Sequence, residues 1–238
     1  MKLHNVLAAI FLTTSSLFGQ AANAPSAPEP VQVDVSQLLN ARVVTTFTGG
    51  QVVPLAIDID GAGGVATAAA AAALGSDNTH TVPDDGTFPA DADHPKVVLH
   101  FSNADGTGNQ VRRAGKPDDF SFAVPPKNYA KMFLFFTSGA AGPAKLKITL
   151  TYQDGSTEER DVVCPDWWKN LDGTNPDCVY LAANLAKWGK KNKILEQNHH
   201  NIFGLDVHPT LGKVLTQIAV HKTHPLVCFW GATGQPAN

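Results

Sequence analysis

Apolar and polar residues alternate with a period of two through much of this chain. Residues 145–152 (KLKITLTY) put Leu146, Ile148, Leu150 and Tyr152 on one side and Lys or Thr on the other. That is the pattern of a strand with one buried face. Gln153-Asp154-Gly155-Ser156 follows, and Asp-Gly supplies the positive φ angles of a tight hairpin turn. Residues 157–163 (TEERDVV) then return with a polar outer face. Further β-rich runs cover 31–35, 41–48, 97–101, 119–124, 131–137, 201–208, 215–221 and 226–230, separated by turn residues. Short strands spaced this way predict an all-β fold, an antiparallel β-sandwich.

Two segments break the period. Ala66 to Leu74 is an alanine-rich tract with Thr67 inside it. Alanine has the best helix propensity, so the tract predicts a short helix, with a low-complexity insertion as the alternative. In 179–197, Leu181, Leu185 and Trp188 recur at helical spacing before Gly189 and a run of lysines. Propensity predicts a helix there, and an irregular crossover between strands is the competing expectation. No internal repeat or second hydrophobic unit occurs, so residues 31–234 are expected to form one domain.

Composition narrows the class. Of 238 residues, 43% are hydrophobic and only 16% charged, and the formal net charge is -3, which disfavours a generic nucleic-acid binder. The first 21 residues carry Lys2, an apolar run from Val6 to Leu12 and a small-residue cut site at Gly19-Gln20-Ala21. They read as a signal peptide, followed by a Pro/Ala-rich leader over 22–30, and predict a secreted or periplasmic protein. No other stretch has the 18 or so apolar residues of a spanning helix.

Export implies an oxidising compartment. Cys164 and Cys178 flank a Pro/Asp/Gly-rich loop, whose closure would contribute about 3 kcal/mol in the entropic account. A disulfide between them is therefore expected. Cys228 lies in an apolar run and reads as a buried thiol.

Candidate chemistry is sparse. Asp58 and Asp60, beside Gly61, Gly63 and Gly64, are oxygen donors on a glycine turn, the type of site a structural calcium ion takes, although the spacing is not that of an EF-hand. Asp84, Asp85, Asp91 and Asp93 form a second acidic stretch that reads as a solvated loop. His199, His200, Asp206 and His208 concentrate in 198–208 (NHHNIFGLDVH), where Asp206 and His208 share a strand face. No nucleophile elbow, phosphate loop, zinc-protease or dinucleotide motif occurs. Nothing singles out the carboxylate pair that a glycosidase requires.

One ordered set of residues carries a family resemblance: 129–136 (YAKMFLFF), 146–155 (LKITLTYQDG), Ser156-Thr157 and Asp166-Trp167. It resembles the strand–hairpin–strand segment of galactose-binding-domain-like β-sandwich modules in bacterial secreted proteins. Val33-Asp34-Val35-Ser36 with Asn40, 58–63 (DIDGAG), 120–127 (FSFAVPPK) and 214–231 are similar to other parts of that pattern. The tract at 66–73 and the segment 169–197 read as insertions in it. The resemblance implies a jelly-roll sandwich and a non-catalytic module that contacts a polysaccharide or other glycan. Sugar contact needs an exposed aromatic ring with polar neighbours. Trp167 and Trp168, adjacent on a strand, should face opposite ways. Trp168 and Trp188 are the expected stacking residues, Lys169 and Asn170 the expected hydrogen-bonding ones, and Trp230 a core residue. The alternatives are a small secreted hydrolase using Asp206 and His208, and a structural envelope protein with no glycan ligand.

Overall fold

The computed structural model describes residues 28–101 and 108–238. The expected signal peptide and most of the leader lie outside the described residues. The fold is all-β. Its strands are β1 (Val31–Val33), β2 (Val44–Thr48), β3 (Gln51–Val53), β4 (Val65–Ala66), β5 (Thr87–Phe88), β6 (Val97–Val98), β7 (Asp118–Ser138), β8 (Ala144–Tyr152), β9 (Thr157–Cys164), β10 (Cys178–Gly189), β11 (Lys193–Asp206), β12 (Val214–Lys222) and β13 (Val227–Pro236). The alanine tract is a single short helix, α1 (Ala68–Ala73), started by the Thr67 hydroxyl, which accepts the Ala70 amide.

The large sheet runs β1-β13-β7-β12-β8-β9, with β11 also paired to β7 and β10 to β11, all antiparallel. Strand β7 organises it. Its first half, to Asn128, pairs with β12, and its second half, from Tyr129, pairs with β13 and, at 133–136, with β11. The sequence reads these halves as two strands because Pro125 and Pro126 have no amide donor. They are one strand because β12 accommodates the prolines with a register shift between Leu215 and Gln217. The Tyr129 hydroxyl also donates to the Pro125 carbonyl at 2.7 Å.

Residues Met132 to Ser138 are buried without a break. Leu134 and Phe136 point into a first core, with Leu146, Ile148 and Leu150 of β8 and Ile218 and Val220 of β12. Phe133 and Phe135 point the other way, into a second core with Trp230, Trp167 and the chain between Ala41 and Val111. The N-terminal third is thus a layer laid over the outer face of β7, β11 and β13. In contrast β8 alternates buried and exposed, because its outer face meets solvent.

The segment 179–197 is not a helix. It is most of the long β10–β11 hairpin, from Cys178 paired with Leu205 to Gly189 paired with Lys193. Tertiary pairing overrides the local propensity here. Four register shifts along the hairpin give Leu181, Leu185 and Trp188 a spacing that imitates a helix.

The pair Cys164–Cys178 is likewise corrected: Cys164, Cys178 and Cys228 are all free, buried thiols. Loop length sets the entropy of closure but not the geometry of the sulfurs. Cys164 ends the β8–β9 ladder opposite Ala144, with its Sγ directed at the Pro165 carbonyl, whereas Cys178 opens the β10–β11 ladder. Burial pushes the Cys178 thiol up to about 12 and Cys228 up to about 11, so neither presents a thiolate at neutral pH.

One buried cation, Lys222, is poorly compensated. Lys222 is fully buried, its Nζ makes no hydrogen bond, and its nearest carboxylate, Asp118, is 4.0 Å away and already holds Arg112 at 2.8 and 2.9 Å. Burial lowers the Lys222 pKa, against the opposing pull of Asp118. The folded chain therefore disfavours an ammonium that the unfolded chain accepts. The cost is greatest at low pH and is gone once pH exceeds the ordinary lysine value of 10.5. Lys222→Met is expected to stabilise the protein by about 1–4 kcal/mol in urea denaturation at pH 7, with a gain that shrinks as pH approaches 10. Equal or lower stability of the variant at pH 7 would show that the ammonium is compensated.

Candidate functional site

A cavity of ≈ 580 Å³ opens at the side of the sandwich where the end of β9 faces the β10–β11 pair. Asp161, Val162 and Val163 form one wall, Leu205, Asp206 and Asp177 the other, and the loop 165–175 closes it. Short-range bonds shape this loop. The Asp166 carboxylate accepts the Trp168 amide at 3.0 Å, and Asp172 accepts both the amide and the hydroxyl of Thr174. The Leu171 amide donates to the Tyr180 hydroxyl at 2.6 Å, and Asn175 reaches the Val163 carbonyl at 3.3 Å. Such side-chain turns hold a loop in one shape without a regular ladder.

The tryptophan pair divides into one buried and one exposed residue, although both lie in a turn after β9 and not on a strand. Trp167 is buried, its amide bound to the Ser138 carbonyl at 2.8 Å and its ring over His200 at 4.2 Å between centroids. Trp168 is 50% exposed. The Lys169 ammonium sits 5.1 Å from the Trp168 ring centre, and His199 flanks the ring at 6.2 Å. Lys169 and Asn170 both line the cavity. Two of the four expected ligand-contact residues therefore line the cavity, and Trp168 is not among its lining residues but contacts one of them, Lys169.

The fourth does neither. Trp188 has no exposed surface and packs with Leu55, Ala66, Ala71 and Ala186. Its backbone exchanges two hydrogen bonds with Gly64, at 2.8 and 2.9 Å. A Cβ on Gly64 would sit 2.0 Å from the Val43 carbonyl oxygen, so glycine is what lets the N-terminal layer close over Trp188. Trp230 is core, with its indole N–H donated to Thr137 at 3.1 Å.

Asn201 is the residue that sequence reasoning missed. It is fully buried, and its Nδ2 lies 3.1 Å from each of the carbonyls of Trp167, Lys169 and His199. Its Oδ1 accepts the Asn184 amide at 3.1 Å, and its own amide donates to Trp167. One side chain thus ties the rim segment to β11. His199 takes φ 84° and Asn184 φ 56°, left-handed conformations uncommon for such residues and held here by this network. In the sequence Asn201 is one more polar residue of the NHHN run, and nothing local marks it.

The candidate metal and histidine residues also have defined partners. Asp58 pairs with Lys190 at 2.8 Å, and Asp60 pairs with Lys187 at 3.1 Å while accepting the amides of Ala62 and Gly63. Burial alone would raise the Asp60 pKa, but those two amides and Lys187 outweigh it and hold the carboxyl below its usual value. Lys187 also contacts Glu196. Among the described residues no cluster of three or more His, Cys, Asp or Glu side chains is arranged to hold a metal ion. In the second acidic stretch Asp84 accepts the Ala69 amide in the first turn of α1, while Asp85 accepts that of Thr87 and Asp91 those of Asp93 and His94 in local turns. Asp206 is buried, and its Oδ1 accepts the amides of Met132 and His208. His208 lies between two carboxylates, 2.7 Å from Asp177 Oδ1 and 3.6 Å from Asp206 Oδ2.

Neither protein-family models nor curated proteins match this chain. What the site can do therefore rests on its own chemistry. It presents an exposed indole on the loop that closes a cleft whose polar side chains are carboxylates, two amides, a hydroxyl and one ammonium. Among the described residues no helix is long and apolar enough to cross a membrane.

The Asn201 network makes a direct prediction. Asn201→Ala removes the donor from three carbonyls and should cost about 1–3 kcal/mol in thermal or urea unfolding. Asn201→Asp should cost more, because a carboxylate would face carbonyl oxygens. If both variants match the wild type, the side chain does not hold the rim.

Proposed function

We propose that this protein is a secreted, non-catalytic carbohydrate-interacting module that holds a glycan across the 165–177 cleft, with Trp168 as the stacking residue. The observation that carries this reading is an indole half open to solvent, on a loop fixed from beneath, next in the chain to Lys169 and Asn170, which line the cleft. Pyranose rings present C–H faces that pack on aromatic rings and hydroxyls that bond to carboxylates and amides. Lys169 and Asn170 sit where such hydroxyls would lie. The resemblance to galactose-binding-like sandwich modules agrees with it, and the apolar run at Val6 to Leu12 supports export.

A preformed site favours binding, since little loop ordering is lost when the ligand docks. The Asp166 turn, the Tyr180 contact and the Asn201 clamp supply that preorganisation. The site is on a loop at the edge of the sandwich, whereas both faces of β7 from Met132 and of β11 from His200 are consumed by packing.

Affinity electrophoresis in gels containing a panel of polysaccharides tests the reading. At least one polysaccharide should retard the wild type, and Trp168→Ala should weaken that interaction by about 1–3 kcal/mol while changing stability by no more than about 0.5 kcal/mol. Trp188→Ala should instead lower stability by about 3–5 kcal/mol, as truncation of a core aromatic does. No retardation by any polysaccharide, or retardation indifferent to Trp168, would overturn the proposal. Polysaccharide turnover lost in Asp177→Asn would replace it with a hydrolase.

A further inference from the structure

Three consecutive residues of β11 each hold one part of the cleft rim. His199 flanks the Trp168 ring, His200 lies under the Trp167 ring, and Asn201 binds the carbonyls of Trp167 and Lys169. The middle residue is titratable, and burial favours its neutral form against the opposing pull of Glu196, Asp60 and the Leu185 backbone. His200 is 1% exposed. Its Nε2 is 3.6 Å from Glu196 Oε2, beyond hydrogen-bond reach, and its Nδ1 is buried with no partner.

We infer that His200 is a pH-sensitive latch beneath the cleft rim: neutral, it seats Trp167 and keeps the Trp168 edge in place, and protonated, it releases that edge. This inference rests on the reading of the Trp168 edge as the binding edge for its biological meaning, but the latch itself is a property of the fold.

The physical argument concerns one proton. In neutral imidazole with its hydrogen on Nε2, the orphan Nδ1 is an unpaired acceptor. Protonation converts it to an unpaired buried donor on a cation, a far more expensive group. Trp167 caps the ring, so giving Nδ1 a water partner means lifting Trp167 and breaking the contact between its amide and Ser138.

The charges facing His200 come from three elements: Glu196 on its own strand, Lys187 on β10 and Asp60 on the N-terminal layer. Glu196 and Asp60 both contact Lys187, so much of their negative charge is already compensated. Burial, the largest influence, lowers the His200 pKa, and the attraction of Glu196 offsets it only in part. The sign follows. Above the ordinary histidine value of 6.5 the seated and lifted forms are both neutral and the latch costs nothing. As the pH falls below it, the lifted form takes up the proton first, and opening becomes easier by up to tenfold per pH unit until the seated form also protonates.

The test needs no glycan. Amide hydrogen exchange of the full chain, corrected for the intrinsic pH dependence, is compared at about pH 7.5 and pH 5, reading the Trp167, Lys169 and Asn201 amides. Protection should fall by about tenfold in the wild type at the lower pH, because the opening constant follows the proton uptake. It should stay constant in His200→Gln and still fall in His208→Gln, which alters the other histidine at the cleft. The imidazole titration of the wild type, followed by NMR, gives a second reading that requires no folded variant. A His200 midpoint below 6.5 that coincides with the loss of protection supports the latch. Unchanged protection, a midpoint at or above the ordinary value, or an equal fall in a folded His200→Gln variant overturns it. Loss of protection without any polysaccharide binding would sustain the latch and sink the glycan reading, and the reverse result would do the opposite.

Discussion

Burial of both faces of one strand is the constraint on which the rest of this structure depends. From Met132 to Ser138, β7 has no solvent side. A strand of that kind must be covered twice, and the two covers are the two halves of the molecule. The face bearing Leu134 and Phe136 is covered by β8 and β12, which close the first core. The face bearing Phe133 and Phe135 is covered by the N-terminal third, whose own strands are too short to form a sheet of comparable size. That third is irregular because its task is to fill a surface already set by β7, β11 and β13. Its shape is maintained by close contacts such as Gly64 against Val43 and by side-chain turns at Asp34, Asp60, Asp77, Asp85 and Asp91.

The cleft inherits its position from the same arrangement. Strand β11 is anchored on β7 at one end and reaches the loop 165–177 further along, so the rim stands on the best-buried part of the fold. Hydrogen bonds to buried carbonyls are costly to lose, which is why one asparagine can define the edge of a loop. Rigid support below and an exposed ring above are the division of labour expected where a scaffold presents a recognition loop.

The amount of this that could be read from the sequence depended on how many faces of each element meet water. The β8–β9 hairpin has one solvent face, so its alternation and its Asp154-Gly155 turn, with Gly155 at φ 81°, were plain in the residues. In YAKMFLFF the apolar run announced a buried strand, but not which layer lay on which side. The end of the β10–β11 hairpin, at 201–206, reads as a strand, but 179–197 reads as a helix because its bulges displace the period of two. At the site, Trp168, Lys169 and Asn170 were legible as an aromatic with polar neighbours in a loop. Trp188 has the same local appearance and is core, since its burial is imposed by Gly64, more than a hundred residues away in sequence. Asn201 was invisible for a related reason: its three acceptors come from two separate segments. The free thiols of Cys164 and Cys178 make the same point about geometry, which loop length does not contain.

The pairing of β7 also has a temporal side. Its partners β11, β12 and β13 all follow it in the chain, the last at Val227–Pro236. A chain emerging from N- to C-terminus therefore carries YAKMFLFF with no partner until β11 has been made, and with one edge open until β13 has been made. Contacts of such long sequence separation form slowly. For that interval the most apolar strand is an open edge available to any other chain. A protein built this way gains from being kept unfolded and shielded until its last strand is free.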